Sequence, residues 1–418
     1  MTANAQITEP VVIDDALLKK RLDKAMFRSR LRAFMLVLPL LLFITLTFIL
    51  PIAYFLVQGI YDNSFSSQMP ETTSVLADWD SESEPTEAMY AALVKDLVVA
   101  RENKTIGKIA TRVNRDFPGS RSLLTGSARN AAKLEPPYKE ALLEKRDKWE
   151  NIKVWQAMKT ASRVWTPGYY AAAVDLKLNA DGSIERQDEK RRIHVKLFGR
   201  TLQISFLVTL FCLALGYPIA FLLATLPVRT SNLLLILVLL PFWSSILVRT
   251  TAWIALLQGQ GVVNDLLVFF GITDDGNRYS LIYNKLGTLI AMTHILLPFM
   301  VLPLYSVMKG IPPSYMRAAK SLGATNWTAF WRVYAPQTIP GIGAGGILVF
   351  IVAIGYYITP ALVGGQSGSM ISNFIDVHMR QTLNWNLAAA LGGVLLCVVM
   401  IFYWLYDRIV GIDNMKLG

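Results

Sequence analysis

Six long apolar stretches constrain this chain more than any other feature of its sequence. Each is at least 20 residues long, and none contains Asp or Glu. A bilayer core about 30 Å thick needs roughly 20 apolar residues in a helix, because a helix satisfies its own backbone hydrogen bonds inside hydrocarbon. The stretches cover residues 33–57, 201–226, 233–257, 286–308, 338–363 and 387–406. They predict an all-α membrane protein with six transmembrane helices.

The composition agrees with a membrane protein. The 418 residues are 53% hydrophobic and only 17% charged, and the mean hydropathy is +0.39. The formal net charge is +11, but the basic residues flank the apolar stretches rather than forming one patch, so nucleic acid is not an expected partner. Cys212 and Cys397 lie inside apolar stretches, and we interpret both as packing residues.

The distribution of Lys and Arg predicts the orientation, because these residues are retained on the cytoplasmic side of a membrane. With both termini in the cytoplasm, the flanking basic residues inside are Lys19, Lys20, Arg21, Lys24, Arg28, Arg30, Arg32, Arg229, Lys309, Arg317, Lys320, Arg332, Arg408 and Lys416. Those in short outer loops are Arg278, Lys285 and Arg380. One cluster on the predicted outer side disagrees: Lys190, Arg191, Arg192, Lys196 and Arg200. The rule is weak beside long loops, so we keep this orientation.

The predicted organisation has five segments. They are a cytoplasmic N-terminal segment at 1–32, a first transmembrane helix at 33–57, an extracytoplasmic insertion at 61–199, a five-helix core at 200–410 that contains a cytoplasmic loop at 309–337, and a cytoplasmic tail at 411–418. Helical periodicity in EAMYAALVKDLVVAR and in YKEALLEKRDKWENIKVWQAMK predicts a small helical cap within the insertion. The alternative is a solvated, partly mobile loop, because each predicted helix has few large apolar residues.

The cytoplasmic loop, IPPSYMRAAKSLGATNWTAFWRVYAPQTIPG, predicts two short helices joined by a bend. Ser314 follows two prolines and is a good N-cap, and Gly323 can adopt the left-handed conformation that ends a helix. Thr325 can cap the second helix, which Pro336 interrupts before the next apolar stretch. The expected product is a compact elbow along the membrane face.

Small and apolar side chains on this elbow suit contact with a partner protein. Ala318 and Ala319 allow close approach, whereas Trp327 and Phe330 offer apolar anchors. The alternative is an ordinary interfacial helix whose aromatic residues lie among lipid headgroups.

The elbow resembles the EAA loop of binding-protein-dependent ABC permeases, whose pattern is Glu-Ala-Ala, three residues, Gly, nine residues and Ile-x-Leu-Pro. The spacing here is the same from Arg317-Ala318-Ala319 through Gly323 to Val333-Tyr334-Ala335-Pro336, but the Glu and the Leu are replaced. In the family this loop is the coupling helix that docks into an ATPase subunit. The resemblance implies that the contact is made by Arg317, Ala318, Ala319, Gly323, Ala324 and Trp327.

Further segments between residues 200 and 410 resemble the spermidine/putrescine-type branch, which includes opine and phosphonate permeases. They are GRTLQISFLVTLFCLALGYPIAFLLA, PFWSSILVRTTAWIALL, LLPFMVLPLYSVM and GYYITPALVGG. The resemblance implies a permease subunit of an ATP-driven importer in the bacterial inner membrane, carrying polyamines by alternating access. It also implies a second permease subunit in a heterodimer, two ATPase copies that bind ATP and magnesium, and an extracytoplasmic solute-binding protein.

Motifs for enzymatic chemistry are absent from the sequence. No GxxxxGK[ST] phosphate loop occurs, so we expect no cofactor on this chain and ATP hydrolysis in a separate subunit. The three histidines have no paired carboxylates beside them, so neither a metal site nor a catalytic triad is predicted. A glycine-rich run is predicted to serve helix packing: Gly341, Gly343, Gly345 and Gly346.

Arg249 is the only Lys or Arg inside the six apolar stretches. An intramembrane charge usually faces a cavity or a partner, and Ser245 and Trp253 lie on the same helix face at i−4 and i+4. A pathway role and a structural pairing with a neighbouring carbonyl are equally open. Candidate pathway residues are Trp243, Ser245, Arg249, Trp253, Tyr356 and Tyr357, with His294 a weaker candidate.

The solute is the least determined part of the prediction. No Glu occurs after Glu189, so a polyamine would rely on aromatic faces or on acidic residues of the partner permease. Arg249 would suit an anionic opine or phosphonate. Two other classes are an ion-coupled secondary transporter, which needs carboxylates in its spans, and a membrane-anchored receptor.

Overall fold

The computed structural model describes residues 15–410. Residues 1–14 of the predicted N-terminal segment and the whole predicted tail at 411–418, with Lys416, lie outside the described residues. The chain divides into two units, residues 1–57 and residues 58–418. Helices dominate both, as predicted.

The first unit is built on one long helix. It begins as Asp15–Ile44, passes through a π-helical turn at Thr45–Ile49 and continues as Leu50–Gln58. The part from Asp23 to Gln58 is long and apolar enough to cross a membrane. Its apolar side chains are exposed, as lipid-facing residues are, and the first span predicted at 33–57 lies within this helix.

The insertion folds as a helical domain with its own hydrophobic core. Its helices are Pro70–Asp78, Glu87–Glu102, Ile106–Asp116, Ser120–Asn130, Tyr138–Lys145, Ile152–Ser162 and Gly168–Ala173, with 3-10 turns at Ala131–Lys133, Asp147–Glu150 and Glu189–Arg191. Trp149 and Trp155 are fully buried, and Tyr90 donates a 3.1 Å hydrogen bond to the Trp149 carbonyl. The solvated-loop alternative is therefore wrong.

Two details of the insertion differ from the prediction. The second predicted helix is broken at Arg146 and Asn151, because the Asn151 side chain accepts a hydrogen bond from the Lys153 N–H and starts a new helix. An antiparallel hairpin also joins Leu176–Leu178 to Ile184–Arg186, with Lys177 opposite Glu185. This hairpin was not predicted.

The core that follows contains the remaining long helices. Its elements are His194–Thr225, Val228–Leu239, Leu240–Trp243, Ile246–Leu257, Val262–Phe269, Lys285–Gly310, Pro313–Ser321, Asn326–Ala329, Phe330–Tyr334, Ala335–Gln337, Ile339–Gly355, Ile358–Val363, Gly365–Gly368, Ile371–Arg380 and Trp385–Val410. Across residues 15–410, five helices can span a membrane by length and composition. A sixth span results if two segments bent by 57°, Asn326–Gln337 and Ile339–Gly355, count as one.

The predicted span at 233–257 is not one continuous helix. A 3-10 turn ends at Trp243, Ser244 is extended, and the Ser245 side chain accepts from the Val248 N–H to start the next helix. Pro241 lacks a backbone donor, and the serine supplies a new cap, so both favour a break that apolar composition conceals. The span at 338–363 likewise ends at Gly355 and resumes as the short Ile358–Val363.

Three helices form the centre of the core: His194–Thr225, Lys285–Gly310 and Ile339–Gly355. Small residues let them approach closely. A Cβ at Gly345 would lie 2.8 Å from the Met300 sulfur, and one at Gly341 would lie 3.1 Å from Val307 Cβ. The packing interpretation is confirmed for these two glycines and for the buried Cys212, whereas Cys397 is exposed and lies outside the core of this chain.

Candidate functional site

The elbow is fixed by the hydrogen bonds that end its first helix. Gly323 has φ +87°, and its N–H donates to the Lys320 carbonyl at 3.0 Å. The Ala324 N–H donates to the Ala319 carbonyl at 3.0 Å. These two bonds make a Schellman motif, in which a residue with positive φ satisfies carbonyls that a helix end leaves free. The left-handed conformation predicted for Gly323 is confirmed.

Of the two N-caps predicted in the elbow, one is wrong and one is correct. Pro312 occupies the N-cap position with Pro313 at the first helical position, so the predicted cap at Ser314 is wrong by two residues. Proline suits the first helical position because its missing N–H would have no helical partner there. Thr325 caps the next helix as predicted and accepts from the Thr328 N–H at 3.3 Å.

The predicted coupling residues lie together on and beside the first elbow helix. Arg317, Ala318 and Gly323 are exposed, while Ala319 and Ala324 are half-buried. Leu322 is 89% exposed and Trp327 is 72% exposed, which are unusual values for large apolar side chains. The elbow thus presents a small, apolar tip, and the roles of its six candidate residues remain predictions.

Phe330 behaves differently from the predicted anchor. It is half-buried and its ring packs within the chain, at 5.6 Å from the Phe221 ring and 6.3 Å from the Tyr217 ring, both edge-on. It also stacks on Tyr334 at 5.7 Å. We call Tyr217, Phe221, Phe330 and Tyr334 the aromatic joint. The anchor assigned to a partner protein instead connects the elbow to the helix His194–Thr225.

The aromatic joint was missed in the sequence although a signal existed. Tyr217 and Phe221 are four residues apart on one helix, and Phe330 and Tyr334 repeat this spacing on the next segment. Residues at i and i+4 share a helix face, so each pair predicts an aromatic face but not its partner. The Tyr217 hydroxyl also lies 3.2 Å from the Thr338 hydroxyl, at the bend before the following span.

A second cluster gathers inside the membrane region around Arg249. The Trp253 indole N–H donates to His294 Nδ1 at 3.1 Å. Arg249 is half-buried and interacts electrostatically with His294 and Tyr356. Its Nε is buried and has no hydrogen-bond partner within the described residues, so the predicted carbonyl pairing is not seen at this atom.

The other candidate pathway residues lie outside this cluster. Ser245 is an N-cap, and Trp243 is 77% exposed. Tyr357 accepts a 3.2 Å hydrogen bond from Arg380, which also lies over its ring. The structure therefore brings Arg249, Trp253 and Tyr356 together and adds His294, which the sequence ranked lower.

Comparisons with known proteins agree with this architecture. A family described as "Binding-protein-dependent transport system inner membrane component" matches residues 214–411. The spermidine/putrescine transport system permease protein PotB of Escherichia coli (strain K12) is 34% identical over 220 residues, which cover 52% of this chain and 79% of that protein. The chain belongs to this family of inner-membrane components. As a member, it is a multi-pass permease, and its relatives are transport permeases rather than enzymes.

Other similar proteins extend the comparison. PotB of Haemophilus influenzae is 32% identical over 225 residues, covering 54% of this permease and 78% of that protein. The molybdenum permease ModB of Mycobacterium bovis is 28% identical over 191 residues, covering 46% and 70%. A crystal structure of a bacterial alginate ABC transporter is 19% identical and covers 56% of this permease and 82% of that chain, with a TM-score of 0.44.

Proposed function

We propose that this permease is the membrane subunit of an ATP-driven importer for polyamines of the spermidine and putrescine kind. The single observation that carries the proposal is the 34% identity to PotB permeases across more than three quarters of their length. The exposed elbow with its Schellman turn supports the importer class independently, because it offers a protruding apolar tip to another protein.

The importer needs further subunits. A separate ATPase hydrolyses ATP and binds the elbow on the cytoplasmic side. Two ATPase copies bind the two permease subunits. The second permease forms a heterodimer with this one, and a soluble protein delivers the solute on the side of the insertion. This arrangement places both termini in the cytoplasm and the insertion outside, in agreement with most of the flanking basic residues.

Coupling runs from the elbow into the membrane through the aromatic joint. Closure of the ATPase pair pushes the elbow tip, and Phe330 transfers that displacement to Phe221 on the helix His194–Thr225. That helix packs tightly against Lys285–Gly310, which in turn contacts Ile339–Gly355 through glycine. Close-packed helices shift as units between alternative arrangements, which is what alternating access requires.

The solute pathway passes the cluster around Arg249. Polyamine ammonium groups bind aromatic faces by cation–π contacts, each worth about 0.5–2 kcal/mol, and Trp253 and Tyr356 provide such faces. Arg249 repels an ammonium group bound beside it. This repulsion weakens solute binding and favours release of the solute. Acidic residues that complete the pathway come from the partner permease, because the six apolar stretches of this chain contain neither Asp nor Glu.

Reconstituted transport tests the proposal. Proteoliposomes containing this permease, its partner permease and the ATPase, with binding protein and ¹⁴C-spermidine outside, should accumulate label only when ATP is supplied inside. Unlabelled putrescine should compete, whereas an aminoalkylphosphonate should not. An ATPase lacking its phosphate-loop lysine is the control. Accumulation without ATP, or competition by the phosphonate alone, would refute the polyamine importer.

A further inference from the structure

A cleft of about 440 Å³ lies between the insertion and the core, both in the second unit. The hairpin and the helix Ile106–Asp116 form its insertion wall. The helices Ile371–Arg380 and Trp385–Val410 form its core wall. The proposed transport function uses none of the residues that line it.

Basic side chains dominate the polar wall of the cleft. Arg112 lies in it but is already neutralised, because it pairs with Asp62 at 2.8 Å and with Asp116 at 2.6 Å. Other basic residues lining the cleft form no ion pair within the described residues: Arg115, Lys177, Lys190 and Arg191. Asp116 is the one carboxylate in the lining and it pairs with Arg112, so these four positive charges have no carboxylate at ion-pair distance within the described residues.

The chemistry of a neighbouring histidine is consistent with this positive potential. Burial, together with the nearby His194 and Arg115, lowers the pKa of His378 to about 4. The His378 and His194 rings are 6.3 Å apart, and both residues line the cleft. At neutral pH His378 is therefore uncharged and can offer a hydrogen bond without adding to the positive charge.

The core wall of the cleft contributes apolar side chains. They are Phe374, Val377 and Leu387, and Ile193 adds another beside the basic residues. The membrane-crossing segment Trp385–Arg408 begins beside the cleft, and Leu387 near its start lines it, so the cleft lies near the end of that span, where headgroups meet hydrocarbon. A ligand that fits both walls has an anionic head beside an apolar body.

The basic cluster that disagrees with the predicted orientation contains residues with different surroundings. Arg200 donates to the Gln366 carbonyl at 2.6 Å and Arg192 to the Gln187 carbonyl at 2.5 Å, so both have structural roles. Lys190 and Arg191 make no side-chain hydrogen bond within the described residues and line the cleft instead. Both side chains are exposed and are therefore available to a ligand in the cleft.

We propose that this cleft binds the phosphate group of an anionic phospholipid, with Lys177, Lys190, Arg191 and Arg115 around the phosphate and the acyl end against the apolar wall. A bound lipid would join the insertion to the core through a shared ligand. The proposal concerns a lipid site and is independent of which solute the permease carries.

Native mass spectrometry of the purified full-length permease tests the site. The protein is mixed with phosphatidylglycerol, phosphatidylcholine or sodium phosphate. Phosphatidylglycerol should be retained at least tenfold more strongly than phosphatidylcholine. Lys177→Gln and Arg191→Gln should each weaken phosphatidylglycerol binding by roughly fivefold, the effect of one basic residue near an anionic surface. Sodium phosphate should not displace it at millimolar concentration.

The matched control is Lys196→Gln. Lys196 belongs to the same basic cluster and is exposed, but it does not line the cleft, so its substitution should change binding by less than twofold. Equal loss in this variant would show a diffuse attraction and overturn the site. Equal retention of both lipids would also overturn it, and displacement by phosphate alone would assign a soluble anion instead of a lipid. Unchanged melting temperatures would show that each variant is folded.

Discussion

Phe330 is a half-buried ring that joins an exposed elbow to the membrane core. Its contacts with Phe221, Tyr217 and Tyr334 are aromatic pairs of the edge-on and stacked kinds. Each such pair is worth about 0.5–1.5 kcal/mol beyond the area it buries. The ring can therefore hold the elbow against the helix His194–Thr225 while that helix moves.

Phe330→Leu should uncouple transport from ATP hydrolysis. Leucine keeps an apolar side chain but removes the ring contacts, so ATPase stimulation should persist while ATP-driven uptake falls about tenfold, as expected for a loss of about 1.4 kcal/mol. Uptake and phosphate release are measured in the same proteoliposomes. Phe206→Leu is the control, because Phe206 is an exposed ring on the helix His194–Thr225 and makes no aromatic contact within the described residues. Normal uptake in Phe330→Leu would show that the aromatic joint is not needed to couple ATP hydrolysis to transport.

Asp62 anchors the start of the insertion through a buried network. It accepts hydrogen bonds from the Arg112 guanidinium, from the Tyr169 hydroxyl and from Ser64. Asp62→Asn should destabilise the purified protein by about 1.5–3 kcal/mol, because Arg112 and Tyr169 lose hydrogen bonds to a charged acceptor, although Arg112 keeps its ion pair with Asp116. Ser64→Ala is a milder control, and denaturant unfolding measures both. Equal stability of Asp62→Asn and wild type would show that the network does not stabilise the folded protein.

The same carboxylate predicts a pH dependence. Burial alone would raise the pKa of Asp62, but Arg112 and the hydrogen bonds from Ser64 and Tyr169 lower it below its ordinary value. Since the folded pKa is depressed, the stabilisation is complete above the ordinary pKa and is lost as pH falls through the folded one. Acid unfolding of the wild type should therefore be steeper below pH 4 than that of Asp62→Asn, and parallel curves would contradict this assignment.

At the scale of elements, the elbow depends on one backbone conformation. A Cβ at Gly323 would meet nothing within 4 Å, so a substitution there is resisted by its φ of +87° and not by a clash. Gly323→Val should distort the turn, with a strain of about 1–2 kcal/mol, and abolish coupling while membrane insertion continues. Gly323→Asn is the matched control, because asparagine tolerates the left-handed region. Coupled transport in the valine variant would count against the elbow.

The elements that could be predicted from sequence are those set by local chemistry. Thr325 and Gly323 fix their turns through bonds to residues within five positions, so the pattern of caps was sufficient. The break at Ser244 lies inside continuous apolar sequence and was hidden from hydropathy. The folded core of the insertion depends on Trp149 and Trp155, whose burial arises from helices distant in the chain.

At the scale of the whole molecule, the positions of the long helices could be predicted from the sequence, but the contacts between distant segments could not. Apolar length identified the long helices, because hydrocarbon thickness sets that length directly. The aromatic joint connects Phe221 to Phe330, and the cleft connects Lys177 to Phe374, across more than a hundred residues of chain. Such pairings follow from tertiary packing, which periodicity along one segment does not encode.

Coupling to a cytoplasmic ATPase requires an elbow that faces the cytoplasm and an insertion that faces outward. Labelling of single cysteines with a membrane-impermeant maleimide tests this directly, in a background where Cys212 and Cys397 are replaced. Leu322→Cys and Glu185→Cys place one exposed thiol on each feature.

We predict that Glu185→Cys reacts in intact cells and that Leu322→Cys reacts only in inverted vesicles from cells lacking the ATPase. Added ATPase should then protect Leu322→Cys from the reagent. Labelling of Leu322→Cys in intact cells would contradict the central claim, because no cytoplasmic ATPase could then reach the elbow.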